Sequence, residues 1–245
     1  YKGLTYSSNV MAAKLIKDTG VRPVISLVRS LGISTPIEND LTIALGSNGV
    51  KLSEMVVAYG AFANGGYKVK PYSVLKVETS RGKILYEAPK ARIMKAISTE
   101  TASGITQMLK TVIKEGTGRG ANINKPAAGK SGTTDDYKDA WFVGYTPSVV
   151  TGVWVGNDDN TKMGGLTGGT VPAIIFRDVM RQATEPFGNE DFGYPDMLAT
   201  KSGGRTVSQL TSPNVSPTKY RDDTDETAPT EDVVHVNSYQ PQMNE

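Results

Sequence analysis

The sequence predicts an α+β fold, an antiparallel sheet flanked by helices. Three runs rich in strand formers, residues 127–134, 140–145 and 149–156, follow one another across short loops that suit antiparallel neighbours. Segments with apolar residues at helical spacing lie on both sides of these runs in the chain, as expected where helices cover a sheet. A change of composition near Pro186 bounds this material, giving a domain over residues 1–184 and a second region over 185–245.

In chain order, residues 7–18 carry Val10, Met11, Leu15 and Ile16 at helical spacing, behind a Ser/Asn cap and before Gly20. Pro23 opens a second short helix reaching Leu31, because its fixed φ suits a first turn. Residues 33–49, rich in Pro, Asn, Asp and Gly, predict a loop. A third helix over residues 51–64 aligns Leu52, Met55, Val56, Tyr59 and Phe62 as a stripe for burial, and Gly65-Gly66 stops it. Residues 73–87 alternate around Ser80-Arg81-Gly82-Lys83, the pattern of a β-hairpin. Ser98 caps a long helix to Glu115 with Ile105, Met108, Leu109, Val112 and Ile113 inward. Beyond the three strands, Thr170-Val171-Pro172 starts a last helix to about Thr184, with Ile174, Ile175, Val179 and Met180 available to pack on the sheet.

Residues 186–245 hold 10 acidic and 4 basic residues, against 15 acidic and 23 basic in residues 1–185. The net charge of +2 therefore hides a basic domain and an acidic tail. That Pro-, Ser- and Thr-rich tail buries too little apolar surface to offset its ordering entropy, so it is predicted disordered; Tyr194, Val233, Val234 and Tyr239 are its few candidates for docking.

Composition excludes several chemistries. There is no cysteine, so no disulfide or thiolate metal site, and the single His235 lies in the tail, which removes a Ser-His-Asp triad from the ordered domain. Any serine chemistry must then take lysine as its base. No metal or cofactor is expected. No apolar run reaches 18 residues and no charged-then-apolar leader is present, so this stretch is expected to be soluble; it opens at Tyr1 and meets a motif by Ser7, as a segment from inside a domain would. Gly116-Thr117-Gly118-Arg119-Gly120 has the look of a dinucleotide fingerprint but follows a helix rather than a strand, and no nucleotide or nucleic acid partner is predicted.

The stretch with the most chemistry is Ala127-Ala128-Gly129-Lys130-Ser131-Gly132-Thr133-Thr134. Read as an exposed strand lining a reaction site, it offers Ser131, Thr133 and Thr134 as donors to a carboxylate and Lys130 as a positive charge. Gly129 and Gly132 leave room for a close backbone approach. Alone, Gly129-Lys130-Ser131-Gly132 fits a surface turn equally well. A phosphate-cradling loop fails because Asn124 stands where that motif needs glycine.

Near the start lies Ser7-Ser8-Asn9, a Ser-x-Asn triplet at a helix entrance. Ser-x-Asn followed by Lys-Ser-Gly-Thr-Thr matches two of the three elements that mark serine β-lactamases and penicillin-binding proteins. With them come Leu45-Gly46-Ser47-Asn48-Gly49-Val50, Ala58-Tyr59-Gly60-Ala61-Phe62-Ala63-Asn64-Gly65-Gly66, Gly116-Thr117-Gly118 and Asp139-Ala140-Trp141-Phe142-Val143-Gly144-Tyr145-Thr146-Pro147. In that order, over residues 1 to about 184, the chain resembles the transpeptidase domain of class A penicillin-binding proteins.

The resemblance implies the penicillin-recognising, β-lactamase-like fold, incomplete at its N-terminus, within a protein that also carries a glycosyltransferase domain and a membrane anchor on the extracytoplasmic face of a bacterial membrane. It implies peptidoglycan stem peptides and β-lactam antibiotics as partners, with the N-terminal part of the same protein completing the domain. Ser7 matches the hydroxyl that relays a proton to the leaving amine, and Asn9 the amide that holds the substrate backbone. Lys130 matches the charge that favours that relay and attracts the terminal carboxylate, Ser131 and Thr133 the carboxylate-binding hydroxyls, and the Thr133 amide an oxyanion donor. The substrate would align along Gly132, Thr133 and Thr134 as an added strand.

The departure from the family pattern is its nucleophile. Ser-x-x-Lys occurs at Ser73/Lys76, Ser80/Lys83 and Ser216/Lys219, in a strand, a hairpin turn and the tail, none of them the helix start that the motif requires. The nucleophile is therefore expected upstream of Tyr1. A non-catalytic derivative of the fold that only binds peptide, cell wall or a partner is the alternative, and the presence of Ser-x-x-Lys upstream distinguishes the two.

Overall fold

Serines and glycines mark several of the helix limits in this computed structural model, which describes residues 1–89 and 93–193. A short helix α1 (Lys2–Thr5), not expected from the sequence, leads into α2 (Asn9–Thr19), whose first turn Ser8 caps by accepting from the Met11 amide at 3.4 Å. Gly20 turns the chain straight into α3 (Val21–Leu31), and Gly32 closes that helix in the left-handed region. The loop at 33–49 contains a 3-10 turn, Leu41–Leu45, capped by Asp40, which accepts from the Thr42 amide at 2.6 Å. Then come α4 (Leu52–Ala63) and α5 (Thr99–Lys114), the latter capped by Ser98, which accepts from the Thr101 amide at 3.1 Å. The last helix, α6 (Val171–Ala183), follows Thr170, whose hydroxyl donates to the Thr167 carbonyl and caps no helix amide.

Two small ladders precede the main sheet. β1 (Tyr67–Val69) pairs with β4 (Ile93–Lys95), a long-range pairing that local pattern could not reveal. β2 (Lys76–Glu78) and β3 (Ile84–Glu87) form the expected hairpin. The main sheet runs β5 (Ala128–Thr133), β6 (Asp139–Tyr145), β7 (Val150–Gly156), antiparallel throughout, each strand within one residue of its predicted limits. The α+β class read from the sequence holds.

Alternation along β6 gives the sheet two covered faces. Phe142 is fully buried against Phe176 of α6, ring centres 4.9 Å apart. Tyr145, also fully buried, meets Tyr59 of α4 edge-on at 6.3 Å, and its hydroxyl lies 2.8 Å from Thr106 Oγ1 of α5. Between them Gly144 admits α6, since a Cβ there would stand 2.9 Å from Phe176 Cζ.

Helix burial departs from the sequence reading in which apolar side chains are covered. On α6, Pro172, Ala173, Phe176 and Met180 are buried, whereas Ile174, Ile175 and Val179 are 42%, 39% and 46% exposed. Phe176 fills the space over Gly144, and the helical period then turns those three β-branched residues outward. On α4, Ala58 and Ala61 are buried while the expected stripe is half-buried. Ala102, Ser103 and Thr106 join Leu109, Val112 and Ile113 as the buried face of α5, leaving Ile105 and Met108 half-buried. On α2 only Ile16 is buried, and Val10, Met11 and Leu15 are exposed.

The packed chain also continues past Thr184, where a tail was expected. After a 3-10 turn (Glu185–Phe187), Phe192 is 7% exposed and packs edge-on against Tyr145 at 5.6 Å, while Asp191 pairs with Lys110 at 3.0 Å. One aromatic ring with an apolar socket is enough to hold a short segment whose average composition is polar. Tyr194, Val233, Val234, His235 and Tyr239 lie outside the described residues. Among the described residues, no helix is long and apolar enough to cross a membrane.

Candidate active site

β5 runs from the core to the surface. Ala128 and Gly129 are buried, Lys130, Ser131 and Gly132 half-buried, and Thr133 exposed. At Gly129 the strand lies hard against the core, since a Cβ there would stand 2.9 Å from Phe142 Cε1. Alternation sends Lys130 to one face and Ser131 and Thr133 to the other.

Lys130 Nζ donates to Ser7 Oγ at 2.8 Å and to the Ser131 carbonyl at 2.8 Å. Two stretches 123 residues apart in sequence thus meet through one ammonium. Ser7 sits between α1 and α2 at φ 54°, a left-handed conformation that a serine adopts at a cost of about 1–3 kcal/mol and that clusters at functional sites. Its neighbours hold it there: the Ser7 amide donates to the Leu4 carbonyl at 3.2 Å and the Ser8 amide to the Gly3 carbonyl at 2.7 Å. Asn9 follows as the exposed first residue of α2. Burial pushes the Lys130 ammonium down from 10.5 to about 8. A lysine so placed both donates to a serine and exchanges a proton near neutral pH.

On the other face, Ser131 Oγ lies 2.7 Å from Thr117 Oγ1. Thr133 Oγ1 accepts from the Gly168 amide at 3.0 Å, which leaves its own proton for an incoming acceptor. The close approach anticipated at Gly132 is made by Gly168, whose Cβ would fall 2.4 Å from the Gly132 carbonyl oxygen. Thr134 differs from its neighbours, because its hydroxyl accepts from the amides of Lys138 at 3.0 Å and Asp139 at 2.9 Å and so braces the β5–β6 hairpin.

Thr117 and the Gly168-Gly169 pair were not singled out as site residues in the sequence. Gly116-Thr117-Gly118 was visible as a motif, but its proximity to β5 is a property of the fold. Of the Ser-x-x-Lys matches, Ser73/Lys76 and Ser80/Lys83 both fall at the β2–β3 hairpin, where Lys76 pairs with Glu78; Ser216/Lys219 lies outside the described residues.

Known proteins resemble this chain over most of its length. Residues 2–181 match the family model of the penicillin binding protein transpeptidase domain. The chain is 36% identical over 194 residues to penicillin-binding protein 1A of Aquifex aeolicus, covering 78% of this chain and 26% of that protein. It is 30% identical over 233 residues to penicillin-binding protein 1A of Rickettsia felis, covering 85% and 30%. The chain thus spans between a quarter and a third of these relatives. Among solved structures, PonA1 of Mycobacterium tuberculosis in complex with penicillin V superposes with a TM-score of 0.70 at 26% identity, over 79% of this chain and 58% of that one. With the match covering most of its length, the chain belongs to the penicillin-binding protein transpeptidase domain family.

Proposed function

We propose that this chain is part of a peptidoglycan D,D-transpeptidase that cross-links stem peptides through a serine acyl-enzyme and is acylated by β-lactams. The observation that carries the reading is the 2.8 Å bond from Lys130 to Ser7, made by a lysine that burial holds down to about 8. A purely structural surface lysine has no reason to be desolvated against a strained serine.

In this reading the attacking serine lies outside these 245 residues. Its oxygen bonds to the penultimate D-alanine carbonyl, the peptide C–N bond breaks, and the proton passes through Ser7 to the departing D-alanine amine. Lys130 keeps Ser7 polarised for that transfer. Ser131 and Thr133 donate to the substrate carboxylate, the Thr133 amide faces the developing oxyanion, and Asn9 holds the peptide as it lies along β5. A neighbouring stem-peptide amine, or water, then attacks the acyl carbonyl, the serine ester C–O bond breaks, and the attacker's proton returns to the serine oxygen. The parent protein would carry the glycosyltransferase domain and anchor on the outer side of the membrane.

Fluorescent penicillin tests this. The intact parent should be labelled, residues 1–245 alone should not, and Lys130→Ala in the parent should slow acylation by about 10²–10⁴-fold while Lys130→Arg keeps part of the rate. Normal acylation of folded Lys130→Ala would remove β5 from the reaction site. Failure of the intact parent to label at all would favour a peptide-binding derivative of the fold.

A further inference from the structure

We propose that Thr117 is a positioning residue for the carboxylate subsite, donating its hydroxyl proton to Ser131 Oγ so that the Ser131 proton is left pointing at the substrate. The proposal rests on the transpeptidase reading of β5.

The bond itself spans 14 residues and measures 2.7 Å. Either oxygen could donate, and what surrounds Thr117 makes its place a fixed one. Its amide donates to the Thr5 carbonyl at 3.2 Å. Gly116 lies so close beneath that a Cβ would stand 2.2 Å from that same Thr5 oxygen. The Thr117 carbonyl is hemmed in from the other side by Gly169, whose Cβ would come within 2.3 Å of it. The next amide, from Gly118, donates to the Val112 carbonyl of α5 at 3.0 Å. Thr5 is itself 2% exposed and held to α5 by a 2.6 Å contact between its hydroxyl and that of Thr111. The Thr117 hydroxyl is therefore delivered to Ser131 by backbone that cannot shift without moving Thr5, two residues before Ser7.

The direction of the bond follows from supply. A hydroxyl has one proton and two lone pairs, so Ser131 can donate to a carboxylate only if it accepts from its neighbour. Thr117 has no carboxylate to serve once Ser131 occupies it, and its proton completes the chain Thr117 to Ser131 to carboxylate. Each bond in such a chain strengthens the next. Thr133 is prepared in the same sense by the Gly168 amide, which donates to its oxygen and leaves its proton free. Both carboxylate-facing hydroxyls thus have an acceptor site filled in advance by a residue outside β5.

The test compares two penicillins in the intact parent enzyme: benzylpenicillin, which carries the carboxylate, and its methyl ester, which does not. Thr117→Val should reduce the second-order acylation rate by benzylpenicillin by about tenfold, the usual scale for losing one hydrogen bond to a charged group's partner, and leave the ester rate unchanged. Thr117→Ser, which restores the hydroxyl, should recover the benzylpenicillin rate. Equal loss with both compounds would mean that Thr117 only holds the loop, and no loss with either would mean that Ser131 orients itself; both outcomes overturn the proposal while leaving the transpeptidase reading intact. A wild-type parent that neither compound acylates would overturn that reading and this one with it.

Discussion

Raising the pH from 7 to about 10.5 should stabilise the wild-type domain relative to Lys130→Met, a variant that keeps much of the side-chain volume without the charge. The sign follows from Lys130 being held down to about 8 in the fold against 10.5 for a free lysine. Between those values the unfolded chain binds a proton that the folded one has released, so stability rises with pH through this window, and the penalty of burying the charge is present in full below pH 8. A separation of about 2.5 pH units at about 1.4 kcal/mol each sets a ceiling near 3.5 kcal/mol. Solvent reaches part of this half-buried side chain, which reduces the expected change to about 1–2 kcal/mol. Urea unfolding of both proteins at pH 7, 8, 9 and 10.5 measures it, and the difference between them cancels other titrating groups. A flat difference would mean that the ammonium is solvated. A difference that moves against the wild type would mean that Ser7 and the Ser131 carbonyl hold the charge more strongly than burial opposes it. Either result removes the argument that Lys130 exchanges protons near neutrality.

Three further outcomes follow from packing. Gly116→Ala should cost about 2 kcal/mol or more in denaturant unfolding, since its Cβ would stand 2.2 Å from the Thr5 carbonyl oxygen, and backbone yields less than side chain; the same substitution in the intact parent should slow penicillin acylation by displacing Ser7, and full activity there would detach Thr5 from the site. Phe192→Ala should cost about 3 kcal/mol, the lower end of the range for an aromatic in a core, by vacating its place in the cluster with Leu109, Val112 and Tyr145; an unchanged midpoint would return residues 188–193 to the tail. Thr106→Val should cost about 1–2 kcal/mol by removing the 2.8 Å bond to the Tyr145 hydroxyl, measured by the shift in melting temperature, and a neutral result would show that Tyr145 needs no partner there.

Much of the fold was legible because its signals are local. Ser8 and Ser98 cap helices where a hydroxyl preceding apolar spacing says they should, and β5, β6 and β7 keep their predicted limits because alternation and short loops leave few other registers. The composition pointed any serine chemistry towards lysine, and the motifs at Ser7 and Lys130 marked two segments that the folded chain brings together. The order of residues could not say which apolar side chains would be covered. Ile174, Ile175 and Val179 have the spacing of a buried stripe, yet Phe176 over Gly144 takes the sheet-facing position, because what is buried depends on the shape of the surface opposite. Phe192 shows the converse, an aromatic in polar sequence that finds a socket. The site's chemistry was likewise divided. Sequence carried the identities of Lys130, Ser131 and Thr133, but only the folded chain brought Ser7 to within 2.8 Å of Lys130, buried that ammonium, and placed Thr117 and Gly168 against the hydroxyls of Ser131 and Thr133. Desolvation and hydrogen-bond direction are properties of several segments packed together, so no single stretch of sequence contains them.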